Sequence, residues 1–395
     1  MTLLDILPSL RGTTTPRLDP LVWPVTTHYH HGRITVGGVG LDEIADLFGV
    51  PTYVLDEESV GGGGKTFVQG LRDAEMLYRT APLLPCGVAR SVAERRLTVV
   101  VHSRRDVAVA RQGGLDPDST VLVVDAADSR SHSEVSPWKG GVGRIVVGAG
   151  VRIDSVAAPG PESGRQKTIV GVRDTCCAGA TIRRVVDAPG LDLIGIRCDC
   201  VPTVGDIREQ VLTAVAVMCD AYREHRVLCT ELHLGIAGGA TDIVGSSDLG
   251  DAIADAVEDA CIRNRFPRPR LSVDAGRSVT ARAAVNVCRV NHVERTPGGP
   301  VVVLDSGAGS VVAVTTGELV AAAVANRHPF GPAEEFSIMR CGSMIGAPRR
   351  SGVVLAQDVR PGDVVALVSR DGSDLVGSAA AVSVAHGRMH ELTTG

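Results

Sequence analysis

Two short stretches place opposite charges at the ends of apolar runs. In LDLIGIRCD (191–199), Arg197 and Asp199 lie two apart at the end of a candidate strand and so share one face. In RLSVDAGR (270–277), Asp274, Gly276 and Arg277 close another run, and His102 ends a third, LTVVVHS (97–103). If these strands end at one mouth, the groups can hold a small anionic or zwitterionic ligand between Arg197 and Arg277. They can equally form an internal ion-pair network, with Arg197 bound to Asp199, because buried charges need partners whatever the function. The residues alone leave both readings open.

Other reactive types give weaker signals. Cys198 and Cys200 alternate onto the opposite face of the same strand and read as buried thiols, as do the adjacent Cys176 and Cys177. HYHH (28–31) reads as a polar loop, and no metal site is expected. Of the 40 basic residues only Lys65, Lys139 and Lys167 are lysines, so no primary-amine side chain occurs from residue 66 to 138.

The elements that must position these groups follow from periodicity. Residues 1–27 are rich in Pro and Thr and read as a loose leader, taken to residue 32 as a unit. Next, 33–55 gives a strand, an amphipathic helix with Leu41, Ile44, Ala45 and Phe48 on one face and Gly49 at its end, and a second strand. From 56 to 280, eight β-rich runs begin near 76, 97, 120, 144, 167, 191, 231 and 270. Helical stretches between them include 204–226 and 247–266, and this alternation predicts a (β/α)8 TIM barrel, which places sites at strand C-termini. Gly61–Gly64 interrupt the first expected helix, at about 1 kcal/mol each relative to alanine. Residues 281–395 alternate as strands with turns such as RPGD, a β domain that the 33–55 strands should join.

Composition sets the outer bounds. The chain of 395 residues is 44% hydrophobic and 22% charged, typical of a globular protein, and its net charge of −5 argues against nucleic acid and anionic membranes as partners. No apolar run is long enough to span a bilayer, and the opening residues lack the pattern of a secretory signal. Ten cysteines without a CxxC pair fit reduced thiols, hence a cytoplasmic location.

These motifs resemble the diaminopimelate decarboxylases, of the fold-type III group of pyridoxal-phosphate (PLP) enzymes. GGVGLDEIADLFGVPTYVLDE is similar to the family's opening strand–helix–strand, LHLGIAGGATDI to its glycine-rich loop, LSVDAGRSV to its E-P-G-R motif, and SGVVLAQDVRPGDVVALV to its C-E-S-G-D segment. The resemblance implies an alanine-racemase-like (β/α)8 TIM barrel with a C-terminal β-sandwich or barrel domain, working as a homodimer with sites at the interface. It also implies a PLP lysine in Y-A-x-K-A. The matching stretch, LYRTAP, puts Thr80 at that position, or Arg79 or Ala81 with a one-residue slip. The ring-stacking histidine falls on Asp199, the triple glycine becomes Gly235, Ile236 and Ala237, and the Cys–Glu pair given to the neighbouring subunit aligns with Arg349 and Arg350. What the family motif retains is Asp274, a carboxylate able to face a ring nitrogen, with Gly276 and Arg277 for an anion.

The sequence therefore leads to a decarboxylase-like pseudoenzyme or partner protein, a homodimer or a heterodimer with an active relative. It should bind a small amino-acid-like or anionic ligand through Arg197, Asp199, Asp274, Gly276, Arg277 and His102. No cofactor is expected, or PLP only without a covalent bond. An enzyme repurposed to PLP-independent chemistry on an amino-acid-derived substrate is the alternative, and a PLP-dependent decarboxylase the third.

Overall fold

A computed structural model describes residues 18–60, 74–79, 84, 86–124, 142–151, 153, 164–172, 175–200, 204–236, 247–274, 283–305, 319–340, 352–369 and 380–392. The expectations placed on Gly61–Gly64, Thr80, Ala237, Gly276, Arg277, Arg349 and Arg350 lie outside these residues. The chain divides into two compact units, one from the stretches 1–62 and 280–395, the other from 63–279.

The second unit is the expected barrel. Strands β5 (Glu75–Arg79), β6 (Thr98–Val101), β7 (Thr120–Val124), β8 (Arg144–Val147), β9 (Gln166–Val172), β10 (Leu191–Cys200), β11 (Glu231–Ile236) and β12 (Arg270–Asp274) pair in order, all parallel. The barrel closes where β12 meets β5, with Ser272 opposite Glu75 and Asp274 opposite Leu77. Helices α2 (Cys86–Glu94), α3 (Arg104–Gln112), α4 (Thr175–Asp187), α5 (Val204–His225) and α6 (Ser247–Asn264) belong to the same unit. Ser103 starts α3 by accepting the Asp106 backbone N–H, which satisfies one of the amides a helix start leaves open.

Alternation along each strand sorts the barrel interior into layers. The middle layer is apolar, built on Leu77, Val100, Val121, Val146 and Ile169, all buried. Below it, at the strand N-termini, lies a charged floor. Arg144 Nη1 donates to Glu75 Oε2 at 2.7 Å and to Glu231 Oε2 at 3.2 Å. The hydroxyls of Thr98 and Ser272 also donate to Glu75, and His233 Nε2 lies 3.3 Å from Glu231. Burial alone would raise the Glu75 carboxyl, but the bonds from Arg144 and Thr98 hold it down at about 2.

The other unit is all-β apart from short helices. A three-stranded antiparallel sheet, β1 (His28–His30), β2 (Arg33–Val36) and β3 (Val39–Gly40), precedes α1 (Leu41–Phe48). Leu41, Ile44 and Ala45 of α1 are buried, Phe48 half so, and Gly49 adopts a φ of 79°. A nine-stranded sheet joins β4 (Thr52–Asp56) with β13 (Ala284–Thr296), β14 (Gly299–Leu304), β15 (Leu319–Val324), β16 (Ala333–Arg340), β17 (Val353–Ala356), β18 (Val364–Ser369), β19 (Ala380–Ala385) and β20 (Arg388–Glu391). In the loop RPGD, Asp363 accepts the Arg360 backbone N–H and Gly362 has a φ of 87°.

Two expectations need correction. The leader is not loose throughout: Trp23 is 4% exposed in the core of this unit, with Leu18 and Val22 packed against it, because one indole buries more apolar surface than a short loop can leave wet. HYHH is not a loop either. His28–His30 forms β1 against β2, and burial of Tyr29 pushes its hydroxyl up to about 12.

Candidate functional site

The inward positions above the apolar layer form the barrel mouth. On β5 the inward series is Glu75, Leu77, Arg79; on β10 it ends with Arg197 and Asp199; on β12 with Ser272 and Asp274. β9 and β11 supply glycines there, Gly171 opposite Arg197 and Gly235 opposite Asp199. The structure thus brings Arg197, Asp199 and Asp274 together and adds Arg79.

The four side chains make one chain of ion pairs. Arg79 approaches Asp274 side-on, with Nη2 at 2.6 Å and Nε at 3.0 Å from Oδ2. Arg197 Nη2 reaches the same Oδ2 at 2.9 Å, and Asp199 Oδ1 also at 2.9 Å. Arg197 Nε adds a bond of 3.1 Å to Asp199. One carboxylate, Asp274, therefore serves two guanidinium groups.

Burial grades along this chain. Asp274 is 0% exposed and Arg197 5%, whereas Arg79 is 27% and Asp199 54% exposed. Burial would push the Asp274 carboxyl up, but the charges of Arg79 and Arg197 hold it well below the usual range. Burial likewise opposes the Arg197 charge, and Asp274 and Asp199 more than restore it. Nη1 of Arg197 is buried and has no hydrogen-bond partner among the described residues.

Gly235 fits this arrangement sterically. A Cβ there would fall on Asp199 Oδ1 and Arg197 Nη2, so the space that glycine leaves open is filled by the ion pair itself. A Cβ at Gly171 would meet only ordinary contacts, the nearest at 3.6 Å. At the rim, a cleft of about 270 Å3 runs between β10 and α5, lined by Cys198, Asp199, Asp206, Glu209, Gln210 and Thr213. Cys198 is buried on the outer face, as its parity required, and His102 is buried just after β6. Ile236 points away from the mouth, since Gly235 occupies the inward position. Among the described residues no group of three or more His, Cys, Asp or Glu could hold a metal ion.

Sequence reasoning assigned Arg79 no role beyond a possible register slip, and it missed the floor altogether. A signal existed for both. Glu75, Arg144, Glu231 and Arg270 are each the first residue of a barrel strand, and Arg79 follows Glu75 at even spacing.

No family model matches the chain. It is similar to a diaminopimelate decarboxylase of Actinosynnema pretiosum, at 29% identity over 93% of this chain and 89% of the relative. Among solved structures, a diaminopimelate decarboxylase from Methanocaldococcus jannaschii superposes with a TM-score of 0.69 at 14% identity, covering 93% of this chain and 95% of that one. Another, SrLDC in complex with PLP and cadaverine, gives 0.59 at 17% identity, covering 85% and 88%. The fold is that of the alanine-racemase-like barrel proteins. Within that group, the chain is a homologue of the diaminopimelate decarboxylases, a PLP-dependent family.

The described mouth does not fit that cofactor. An internal aldimine needs a primary amine, and β5 carries none. The one fully buried carboxylate at the mouth is already engaged by two guanidinium groups, and the glycine gap beside it is occupied. Lys167, the one described lysine, is paired in register with Arg144 at the opposite end of the barrel.

Proposed function

We propose that this decarboxylase homologue does not run lysine-dependent PLP chemistry and instead binds a small anionic or amino-acid-like ligand at the barrel mouth. The reading rests on one observation: Arg79 and Arg197 converge on Asp274, on a strand that carries no lysine. The ligand reading draws on Nη1 of Arg197, buried and without a partner among the described residues, and on the half-exposed Asp199 beside it, a donor and an acid on the same ion pair. The protein acts as a pseudoenzyme or partner, in a homodimer or a heterodimer with an active relative, and its cysteine usage suits the cytoplasm. The test is spectroscopic. Purified protein mixed with PLP shows no imine band and no borohydride-stable pyridoxyl-lysine, and releases no carbon dioxide from diaminopimelate. A trapped adduct on a barrel lysine refutes the reading. Sedimentation as a monomer at micromolar concentration removes the dimer from it.

The alternative, an enzyme repurposed to PLP-independent chemistry on an amino-acid-derived substrate, draws on the polar cleft between β10 and α5, where Asp199 lies with Asp206, Glu209 and Gln210. Turnover of an amino-acid-derived substrate by cofactor-free protein, lost in Arg197→Met, would favour it.

A further inference from the structure

At the floor end of the barrel, α5 and α6 finish and the chain turns back into β11 and β12. The stretches 222–230 and 261–270 carry Arg223, Arg226, Arg263, Arg265, Arg268 and Arg270, all exposed, and a single acid, Glu224, in a chain whose net charge is −5. The two turns run side by side, with the Arg270 backbone N–H donating to Thr230 O at 2.8 Å. Local structure accounts for part of this charge. Arg223 and Arg263 stand in the last turns of their helices, where a cation offsets the helix dipole, and Arg223 also meets Asp220 at 3.2 Å. Arg270 comes within 4.0 Å of Glu231. Arg226, Arg265 and Arg268 lie past the helix ends, and with Arg263 they have no ion-pair partner among the described residues. Interleaved with them in sequence, Ile262 is 68% exposed, and Tyr222 and Leu228 are 46% exposed each. The backbone beneath is fixed. Arg226 and Arg265 close their helices in left-handed conformations, with φ of 59° and 50°. Phe266 and Pro269 are buried, and Pro267 and Pro269 restrict the turn on either side of Arg268.

We propose that this face is a docking surface for an acidic segment of a partner protein, one in which carboxylates alternate with leucine-like or aromatic side chains. Charge complementarity carries the choice of partner. A guanidinium holds a carboxylate through two parallel N–H groups and sheds water more readily than an ammonium. Arginine and tyrosine are the types that protein interfaces enrich. The turns are already rigid, so docking costs little ordering. A phosphodiester chain would answer the arginines but give Ile262 and Leu228 nothing to pack on, and the acidic remainder of the chain repels a long polyanion. An anionic bilayer takes up apolar groups gathered on one stripe, whereas here single ones are set among charges. The surface shares no residue with the barrel mouth, so it stands whatever the mouth binds.

The test is a titration of the full-length chain into a fluorescein-labelled peptide that interleaves glutamate with leucine and phenylalanine, read by anisotropy. Its glutamine counterpart is titrated alongside, and an oligouridylate and phosphatidylserine vesicles are offered as competitors. The expected result is saturable binding of the glutamate peptide and little of the glutamine one. Arg226→Gln, Arg265→Gln and Arg268→Gln together should weaken it about tenfold or more. Ile262→Ser with Leu228→Ser should weaken it several-fold, and Arg388→Glu, at an exposed arginine of the other unit, should leave it unchanged. If the triple variant does not fold, Arg263→Gln with Arg268→Gln is read the same way. Absence of saturable binding overturns the proposal, as does equal binding of the glutamine peptide. So does a triple variant or a serine variant that binds like wild type, or an equal loss in Arg388→Glu. Displacement by the oligouridylate or the vesicles more readily than by unlabelled peptide also overturns it, because the surface then serves a different class of partner.

Discussion

The two ends of the barrel carry the same chemistry with the signs exchanged. At the floor one guanidinium, Arg144, serves two carboxylates, Glu75 and Glu231. At the mouth one carboxylate, Asp274, serves two guanidinium groups, Arg79 and Arg197. Among the described residues each cluster leaves one guanidinium nitrogen without a partner, Arg144 Nε below and Arg197 Nη1 above. The surroundings differ. Hydroxyls of Thr98 and Ser272 close the floor, while the mouth has glycines and a half-exposed aspartate. A carboxylate left without its partner can take up a proton and become neutral. A guanidinium cannot do so in a protein, so a mouth that loses its shared anion must find another. The two ends therefore answer the loss of their shared group in different ways.

Replacing the shared group at each end breaks the comparison most sharply. Arg144→Met leaves two buried carboxylates facing each other and should cost ~3–5 kcal/mol at neutral pH, measured by urea unfolding. Its pH dependence should reverse. In wild type the Glu75 carboxyl is held down at about 2, so its contribution is complete above the ordinary 4.5 and is lost as pH falls toward 2. In the variant both carboxyls rise above their ordinary range, and lowering the pH from about 7 to 5 should restore stability. A variant as stable as wild type at pH 7 would end the idea that the floor is structural.

Asp274→Asn is the mirror experiment. Arg79 can turn to solvent and Arg197 keeps Asp199, so the expected loss is smaller, ~2–3 kcal/mol. Sulfate or phosphate should return part of it at matched ionic strength, and pH between 5 and 7 should not. Recovery on acidification, with no response to anions, would show that the two ends do not differ in the way described.

Glycine substitutions test the finest point. Gly235→Ala drives a methyl group into the Arg197–Asp199 pair and should cost ~1–2 kcal/mol. Gly171→Ala meets only ordinary contacts and should lie within about 0.5 kcal/mol of wild type. Equal Tm values for the two variants by scanning calorimetry would mean that the pair gives way at no cost.

Much of this architecture is legible in the sequence. Eight apolar runs alternating with helices specify the barrel, because period-2 and period-3.6 patterns are set by burial. Strand parity placed Arg197 and Asp199 on one inward face, and put Cys198 outside. Arg79 was harder to read. Its partner lies 195 residues away, and only closure of β12 onto β5 brings the two together. The strand Leu319–Val324 is faint in the sequence because LVAAAV, with its run of three alanines, lacks the bulky β-branched residues that mark strands. Trp23 and β1 escaped because proline and threonine dominate the surrounding composition, whereas packing is decided by single side chains.

His233 sits at the level where the two clusters come closest. It is 0% exposed, burial pushes its pKa down, and the charges of both Arg144 and Arg197 act on it in the same direction. With its charged form disfavoured, the ring turns Nε2 to the Glu231 carboxylate at 3.3 Å, and Nδ1 has no partner among the described residues. A bare imidazole nitrogen has a 15N resonance frequency that responds steeply to local field. The barrel thus contains its own electrometer: in protein labelled at histidine, this one resonance would register a counter-ion arriving at the mouth or a proton arriving at the floor.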